Sequence, residues 1–208
     1  MKIQEPKISK VNDYDLLTSI KEEDFYNKRF SNNIDKLSEI SNQTFDSCIF
    51  ENIDFNNINL TNIDLIDVIF KNCDLSNKNF NNKLIQRVKF INCKMIGDSF
   101  VNSSLKDVIF ELCNAKYINL ADARINKMII QECDFSEMCF QETEIKEIEF
   151  NKVNISRGEI TKTKLKDVDI STCKIESLMI DFESLKGIII DPFQSIEFIS
   201  MLGVKIKK

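Results

Sequence analysis

From Phe45 to Ile190 a large apolar residue stands at every fifth position, and Phe, Leu, Ile or Met fills 29 of those 30 positions, Ala115 being the exception. A second apolar column lies two residues earlier, opened by Cys48, Ile53, Ile58, Ile63, Val68 and Cys73. The remaining three positions of each pentad are mostly Asn, Asp, Lys, Ser, Thr and Glu. A period of five fits neither the 3.6 of a helix nor the 2 of an ordinary strand. Self-similarity at a fixed period marks a solenoid, in which each coil buries its apolar side only against its neighbours. Two inward and three outward positions in every five describe one side of a square coil.

A longer period is superposed on the short one. Cys73, Cys93, Cys113, Cys133 and Cys173 recur every 20 residues, with Val153 in the gap. Phe50, Phe70, Phe90, Phe110, Ile130 and Phe150 do the same. Four pentads therefore make one coil. The repeat amounts to about seven and a half coils, a rod of roughly 36 Å at the usual strand spacing of about 4.8 Å.

The pattern resembles the pentapeptide-repeat family, whose motif is A(D/N)LXX; Ile63-Asp64-Leu65 and Cys73-Asp74-Leu75 are close matches. The resemblance implies an all-β solenoid, a right-handed quadrilateral β-helix, ending here in a short C-terminal α-helix. Residues 1–40 show the beat poorly and read as an irregular N-terminal cap and first coil, 41–190 as the β-helix, and 191–208 as a helix and tail. In that tail Asp191 is placed as N-cap and Pro192 as the first helical residue. Phe193, Ile196, Ile199 and Leu202 then share one face, Gly203 stops the helix, and Val204 and Ile206 form an apolar tail. An open solenoid end must be covered or paired. The tail either caps its own coil or builds a two-fold dimer through Phe193, Ile196, Ile199, Leu202 and Val204.

The ending LKGIIIDPFQSIEFISMLGVKI is similar to that of the Qnr quinolone-resistance proteins, and Asn92-Cys93, Leu105-Lys106-Asp107 and Phe110 resemble their chromosomal Gram-positive members. That resemblance implies a tail-to-tail homodimer that mimics B-form DNA, binds DNA gyrase or topoisomerase IV, and protects it from fluoroquinolones. Two loops that interrupt the coils of some plasmid-borne members have no counterpart, since the pentads run from 41 to 190 without insertion. Protection then needs another route, or binding only inhibits. A scaffold or immunity protein with a different partner is the alternative.

Charge bears on this reading. The net charge is -5 and the pI about 5.0, against a nucleic-acid binder with a basic surface. Candidate DNA-mimic acids are Asp54, Asp64, Asp74, Asp134, Glu142, Glu144 and Glu149. Acids are patchy: residues 131–150 hold seven against Lys146 alone, whereas 151–170 carry five bases and three acids. Aspartates just before the large residue (Asp54, Asp64, Asp74, Asp134) also suit a tight corner backbone.

Chemistry is sparse. The absence of histidine removes Ser-His, Cys-His and His-metal arrangements, and four glycines with no GxGxxG leave no phosphate loop. No enzyme, metal or cofactor is expected. The 20-residue cysteine spacing matches no zinc pattern, so those thiols read as small buried hydrophobes, with Cys139 alone facing outward. Four inward positions are charged: Lys78, Lys83, Asp98 and Glu183. Lys78 and Asp98 form a buried pair in adjacent coils, or a bulge over Ser76–Leu84 turns the lysines to solvent; the bulge is preferred. An outward column of Ile49, Ile69, Ile109 and Ile129, interrupted by Lys89, is either a partner surface or an ordinary face. No run of 18 apolar residues and no apolar leader occur, so a cytoplasmic protein with no membrane span is expected.

Overall fold

The computed structural model describes residues 1–14, 24–31, 39–201 and 204, and shows a parallel β-solenoid. From Asp24 onward, paired residues lie 20 apart: Phe50 beside Phe70, Phe70 beside Phe90, Phe90 beside Phe110. One slip occurs, where Asn126 pairs with Glu147. Five eight-residue strands (Asp64–Lys71, Leu84–Ile91, Ser104–Glu111, Arg124–Gln131 and Glu144–Asn151) each turn one corner without leaving the ladder. Two of the four sides thus form a continuous bent sheet. The other two are mostly single bridges, such as Asp74 with Lys94 and Asn79 with Ser99.

Corners are built two residues after the large apolar position. Asn52, Asn72 and Asn92 sit there with φ of 59°, 53° and 51°, the left-handed region that Asn tolerates best among residues with a Cβ. Their amides stack, Asn72 donating to Asn52 at 3.0 Å and Asn92 to Asn72 at 2.8 Å. The corner role given to the aspartates one residue before the large position is therefore corrected. Asp54, Asp74 and Asp134 instead accept the N–H two residues on, from Asn56, Ser76 and Ser136, at 2.8, 3.0 and 3.0 Å.

Inside, phenylalanine rings form a column. Phe30, Phe50, Phe70, Phe90 and Phe110 stack with successive centroid distances of 4.9, 4.9, 5.2 and 5.0 Å. The cysteine slot has a specific use: the thiols of Cys73, Cys93 and Cys113 donate to the carbonyls of Phe50, Phe70 and Phe90, each at 3.5 Å. On the opposite side Ser103, Thr143 and Thr163 make the equivalent bond with a hydroxyl, at 2.6, 2.9 and 2.9 Å. A small donor at this inward position satisfies a buried carbonyl of the preceding coil.

The bulge expected over Ser76–Leu84 does not form. Asp74 and Asn79 keep their places beside Lys94 and Ser99, and Lys78 and Asp98 point inward, 7% and 0% exposed. They are joined by the Lys78 backbone N–H donating to Asp98 Oδ1 at 2.9 Å, while Lys78 Nζ reaches the Asn56 carbonyl at 3.2 Å. Burial pushes the Asp98 carboxyl well above the usual carboxylate range, opposed by that N–H, and its Oδ2 has no partner. Glu183 is not inward: it lies exposed in the short helix Phe182–Leu185, whose inward residue is Ser184 and whose N-cap is Asp181.

At the N-terminal end Tyr14 packs edge-on to Phe25 and Phe30 at 6.4 and 6.3 Å, closing the first coil. At the other end, helix Ser195–Met201 is entered through a reciprocal capping box: Asp191 Oδ1 accepts from Gln194 N at 3.1 Å, and Gln194 Oε1 accepts from Asp191 N at 3.0 Å. Gln194 Nε2 also donates to the carbonyls of Ile170 and Cys173, both at 2.9 Å, so one side chain closes backbone of the last coil. Among the described residues no helix is long and apolar enough to cross a membrane.

Candidate interaction surfaces

The 20-residue register that stacks the core also stacks surface charges of opposite sign. Lys71 meets Glu51 at 2.8 Å, Lys94 meets Asp74 at 2.9 Å, Arg157 meets Glu137 at 3.1 Å and Lys162 meets Glu142 at 2.6 Å, each pair one coil apart. Burial raises the Asp74 carboxyl, yet bonds from Ser76 and Lys94 outweigh it and hold the group down at about 2. Of the candidate DNA-mimic acids, Asp74, Glu142, Glu144 (to Arg124, 3.5 Å) and Glu149 (to the N-terminal ammonium, 3.4 Å) are ion-paired. Asp134 accepts from Asn154 Nδ2 at 3.1 Å. Asp54 and Asp64 are exposed. The coil register spreads these seven over different sides: Asp54, Asp74 and Asp134 share one column, Asp64 and Glu144 a second, while Glu149 and Glu142 stand elsewhere.

The N-terminal segment, expected to cover the coil end, instead runs along the rod. The Met1 ammonium contacts Glu149, Gln4 N donates to Asp107 Oδ1 at 3.0 Å, Lys7 N to Asp67 Oδ1 at 2.8 Å, and Ser9 Oγ to Asn27 Oδ1 at 2.6 Å. Each interval advances by two coils. From Met1 to Gln4 and from Gln4 to Lys7, three extended residues span about 10 Å against about 9.6 Å for two coils, and the shorter step to Ser9 is completed by its side-chain hydroxyl, so an extended strap keeps step with the ladder. Beneath it Arg87 grips Asp67 with two bonds of 2.6 Å. Burial of Asp67 opposes ionisation, but Arg87 and the Lys7 N–H hold its carboxyl below the usual range. Ile109 is buried and Ile49, Ile69 and Ile129 are half-buried, so the outward isoleucine column is no open apolar stripe.

The C-terminal end is different. Helix Ser195–Met201 turns Phe198 into the core at 7% exposure and leaves Ile196 at 53% in solvent, with Phe193 at 83% in the turn before it. Ile199 is half-buried and Val204 exposed; Leu202, Gly203 and Ile206 lie outside the described residues. Nearby in the chain, Met179 and Phe182 are exposed as well. Sequence periodicity found the outward face and missed Phe198; spacing of Gln194 and Phe198, four apart, was the available signal.

Among the described residues no three His, Cys, Asp or Glu side chains converge to hold a metal ion. The model of the family described as pentapeptide repeats matches residues 45–82 in eight copies. No curated protein matches the chain. A trypsin-treated variant of QnrB1, described as a plasmid-mediated fluoroquinolone resistance protein, is similar in structure with a TM-score of 0.50 and 19% identity, over 88% of this chain and 90% of that one. HetL, a pentapeptide-repeat protein involved in heterocyst differentiation regulation in Nostoc sp. strain PCC 7120, gives a TM-score of 0.37 and 11% identity, over 80% and 89%. At 19% identity the likeness to the QnrB1 variant speaks to fold alone. Residues 45–82 thus match pentapeptide repeats, and the same five-residue motif continues around the coils to residue 190 in one solenoid.

Proposed function

We propose that this chain is a non-enzymatic binding protein, doubled through its C-terminal end, whose rod engages DNA gyrase or topoisomerase IV and protects it from fluoroquinolones. The observation that carries the reading is the exposed Phe193 and Ile196 beyond the last coil of a rod whose pentads run without insertion. Exposed apolar side chains at a capped solenoid end suit a second copy of the same surface. Two rods of about 36 Å joined there reach roughly 70 Å, the length of about twenty base pairs at 3.4 Å each.

Magnitudes decide how the mimicry would work. A DNA segment of 36 Å carries about twenty negative charges, one per ~1.7 Å. This chain has a net charge of -5, and several of its acids are neutralised by a lysine or arginine one coil away. Shape, rather than charge density, supports the reading. The fluoroquinolone resistance printed for QnrB1 supports it only through the shared fold.

The test is a supercoiling assay with purified gyrase, with and without ciprofloxacin. Restoration of drug-blocked supercoiling supports protection, and inhibition of gyrase without rescue supports binding alone. If neither occurs at protein in excess over enzyme, the topoisomerase reading fails. The ion-paired acids then favour the second reading, a scaffold or immunity protein with another partner. Dimerisation is separable: a Phe193→Asp, Ile196→Asp double variant is expected to give half the mass by light scattering, and an unchanged mass excludes that end as the interface.

A further inference from the structure

The ladder opens at two levels among the described residues: after strand Glu144–Asn151, which ends the long sheet, and between the coils of Leu60 and Phe80. On the side carrying Leu60, Phe80, Phe100 and Leu120, adjacent coils are joined by a fixed pair of bonds. Ser99 N donates to the Lys78 carbonyl at 3.0 Å and Phe80 N to the Ser99 carbonyl at 2.7 Å; one coil on, Asn119 N donates to the Asp98 backbone carbonyl at 2.9 Å and Phe100 N to the Asn119 backbone carbonyl at 2.7 Å. The same pattern one coil earlier would join Asn79 N to the Ile58 carbonyl and Leu60 N to the Asn79 carbonyl. Neither bond is present among the described residues, and strand Asn59–Thr61 pairs only with Glu39–Ser41 behind it. The corner ladder is interrupted at the same level. Asn62 bonds to Asn42 at 2.9 Å and Asn102 to Asn82 at 2.8 Å, but no bond joins Asn82 to Asn62. Asn62 Oδ1 is taken instead by Lys83 Nζ at 3.0 Å.

This is also the level at which the inward columns abandon apolar residues. Lys78 follows Ile58 in one column and Lys83 follows Ile63 in the next. An ammonium is too costly to bury between stacked coils unless it reaches polar partners. The open seam provides them: both Nζ atoms cross the gap, Lys78 to the Asn56 carbonyl and Lys83 to Asn62. The result is a cleft of about 440 Å³ between the two coils. Its walls present two ammonium groups, the Asn82 amide, and the N–H groups of Leu60 and Asn79 that the ladder leaves unused. The same absent bonds also free the Ile58 and Asn79 carbonyls, so the two ammonium charges, rather than a surplus of donors, set the preference for an anion, and the room exceeds that of a few waters at about 30 Å³ each.

We propose that this cleft binds a small oxyanion, a phosphate or carboxylate with at most a small organic body, through Lys78, Lys83 and the Leu60 and Asn79 amides. Charge-assisted bonds from two ammonium groups and convergent backbone N–H groups are the chemistry by which proteins hold such anions. Nothing in this depends on the topoisomerase reading.

The test is an amide NMR titration of the full chain with inorganic phosphate, with malonate as the carboxylate arm and sodium chloride matched for ionic strength. Saturable shifts of Leu60 and Asn79 with phosphate or malonate, but not with chloride, are expected; whichever arm saturates at lower concentration identifies the anion class. A Lys78→Met, Lys83→Met variant should raise the midpoint about tenfold or more, the loss of roughly one strong charge-assisted bond. Absence of saturable shifts at Leu60 and Asn79 in the unmodified protein overturns the proposal, whether or not the variant folds. So do shifts confined to exposed lysines such as Lys94, or an unchanged midpoint in a folded variant.

Discussion

Replacing Phe90 by Leu should weaken the rod more than the same change at Phe140, although both rings are fully buried. Phe90 has two stacked neighbours, Phe70 at 5.2 Å and Phe110 at 5.0 Å, with interplanar angles of 8° and 12°. Phe140 has a single aromatic neighbour, Phe150, tilted by 40° at 6.5 Å. Aromatic pairs contribute about 0.5–1.5 kcal/mol beyond the area they bury. Two lost pairs against one therefore separate the variants by about 0.5–1.5 kcal/mol, while the ring-to-isobutyl loss is common to both. For a chain of this size, ~1 kcal/mol moves the melting temperature by about 2–4 °C, so Phe90→Leu should melt about 1–6 °C below Phe140→Leu. Thermal unfolding followed by circular dichroism measures this. Equal melting temperatures would refute the claim that ring stacking, beyond burial, holds the coils in register.

Three further outcomes are expected. Asp67→Asn and Asp98→Asn should shift stability in opposite directions at pH 7. Asp67 is held below its ordinary range, so its contribution is present above about pH 4 and lost as pH falls through the folded value. The variant should lose about 2–4 kcal/mol at neutral pH, less than a fully buried pair because Arg87 keeps some contact with water. Asp98 is raised by burial, so the wild type loses stability as pH climbs above about 4, and Asp98→Asn should be the more stable protein at pH 8. Melting temperatures from pH 3 to 8 check both, and a shared sign refutes the assignments. Of the seven thiols only Cys139 is half-exposed, and burial lifts Cys48 and Cys173 to about 11. A thiol reagent should therefore modify one cysteine in the native protein and all seven in denaturant; fast native labelling of the inward column contradicts the packing. Finally, the amide protons of Gln4 and Lys7 should be protected from exchange by Asp107 and Asp67. Free exchange at both would show that the strap does not lie on the rod.

What was legible in the sequence was everything that repeats. The solenoid, the 20-residue register, the inward columns and the phenylalanine ladder are each written about seven times over, and a period survives local exceptions. Asp191 as N-cap was readable too, because a cap is a contact between neighbours in the chain. What stayed hidden involved residues that occur once. The strap brings Gln4 to Asp107 and Lys7 to Asp67, more than 50 positions apart and outside the period.

The acids could be counted in the sequence, but their partners could not be seen there. Their partners lie one coil away, so segments of like charge in sequence become rungs of opposite charge in space. Lys78 and Lys83 were recognised as exceptions, but the preferred bulge was the wrong relief. Relief came by opening a seam toward the preceding coil while the ladder toward the following one held. The sequence alone thus determined the architecture, since a five-residue beat leaves each apolar side chain one place to go. Tertiary structure alone decided which charges are free, where the first nine residues lie, and where the ladder opens. Those depend on pairings across coils, which local pattern does not encode.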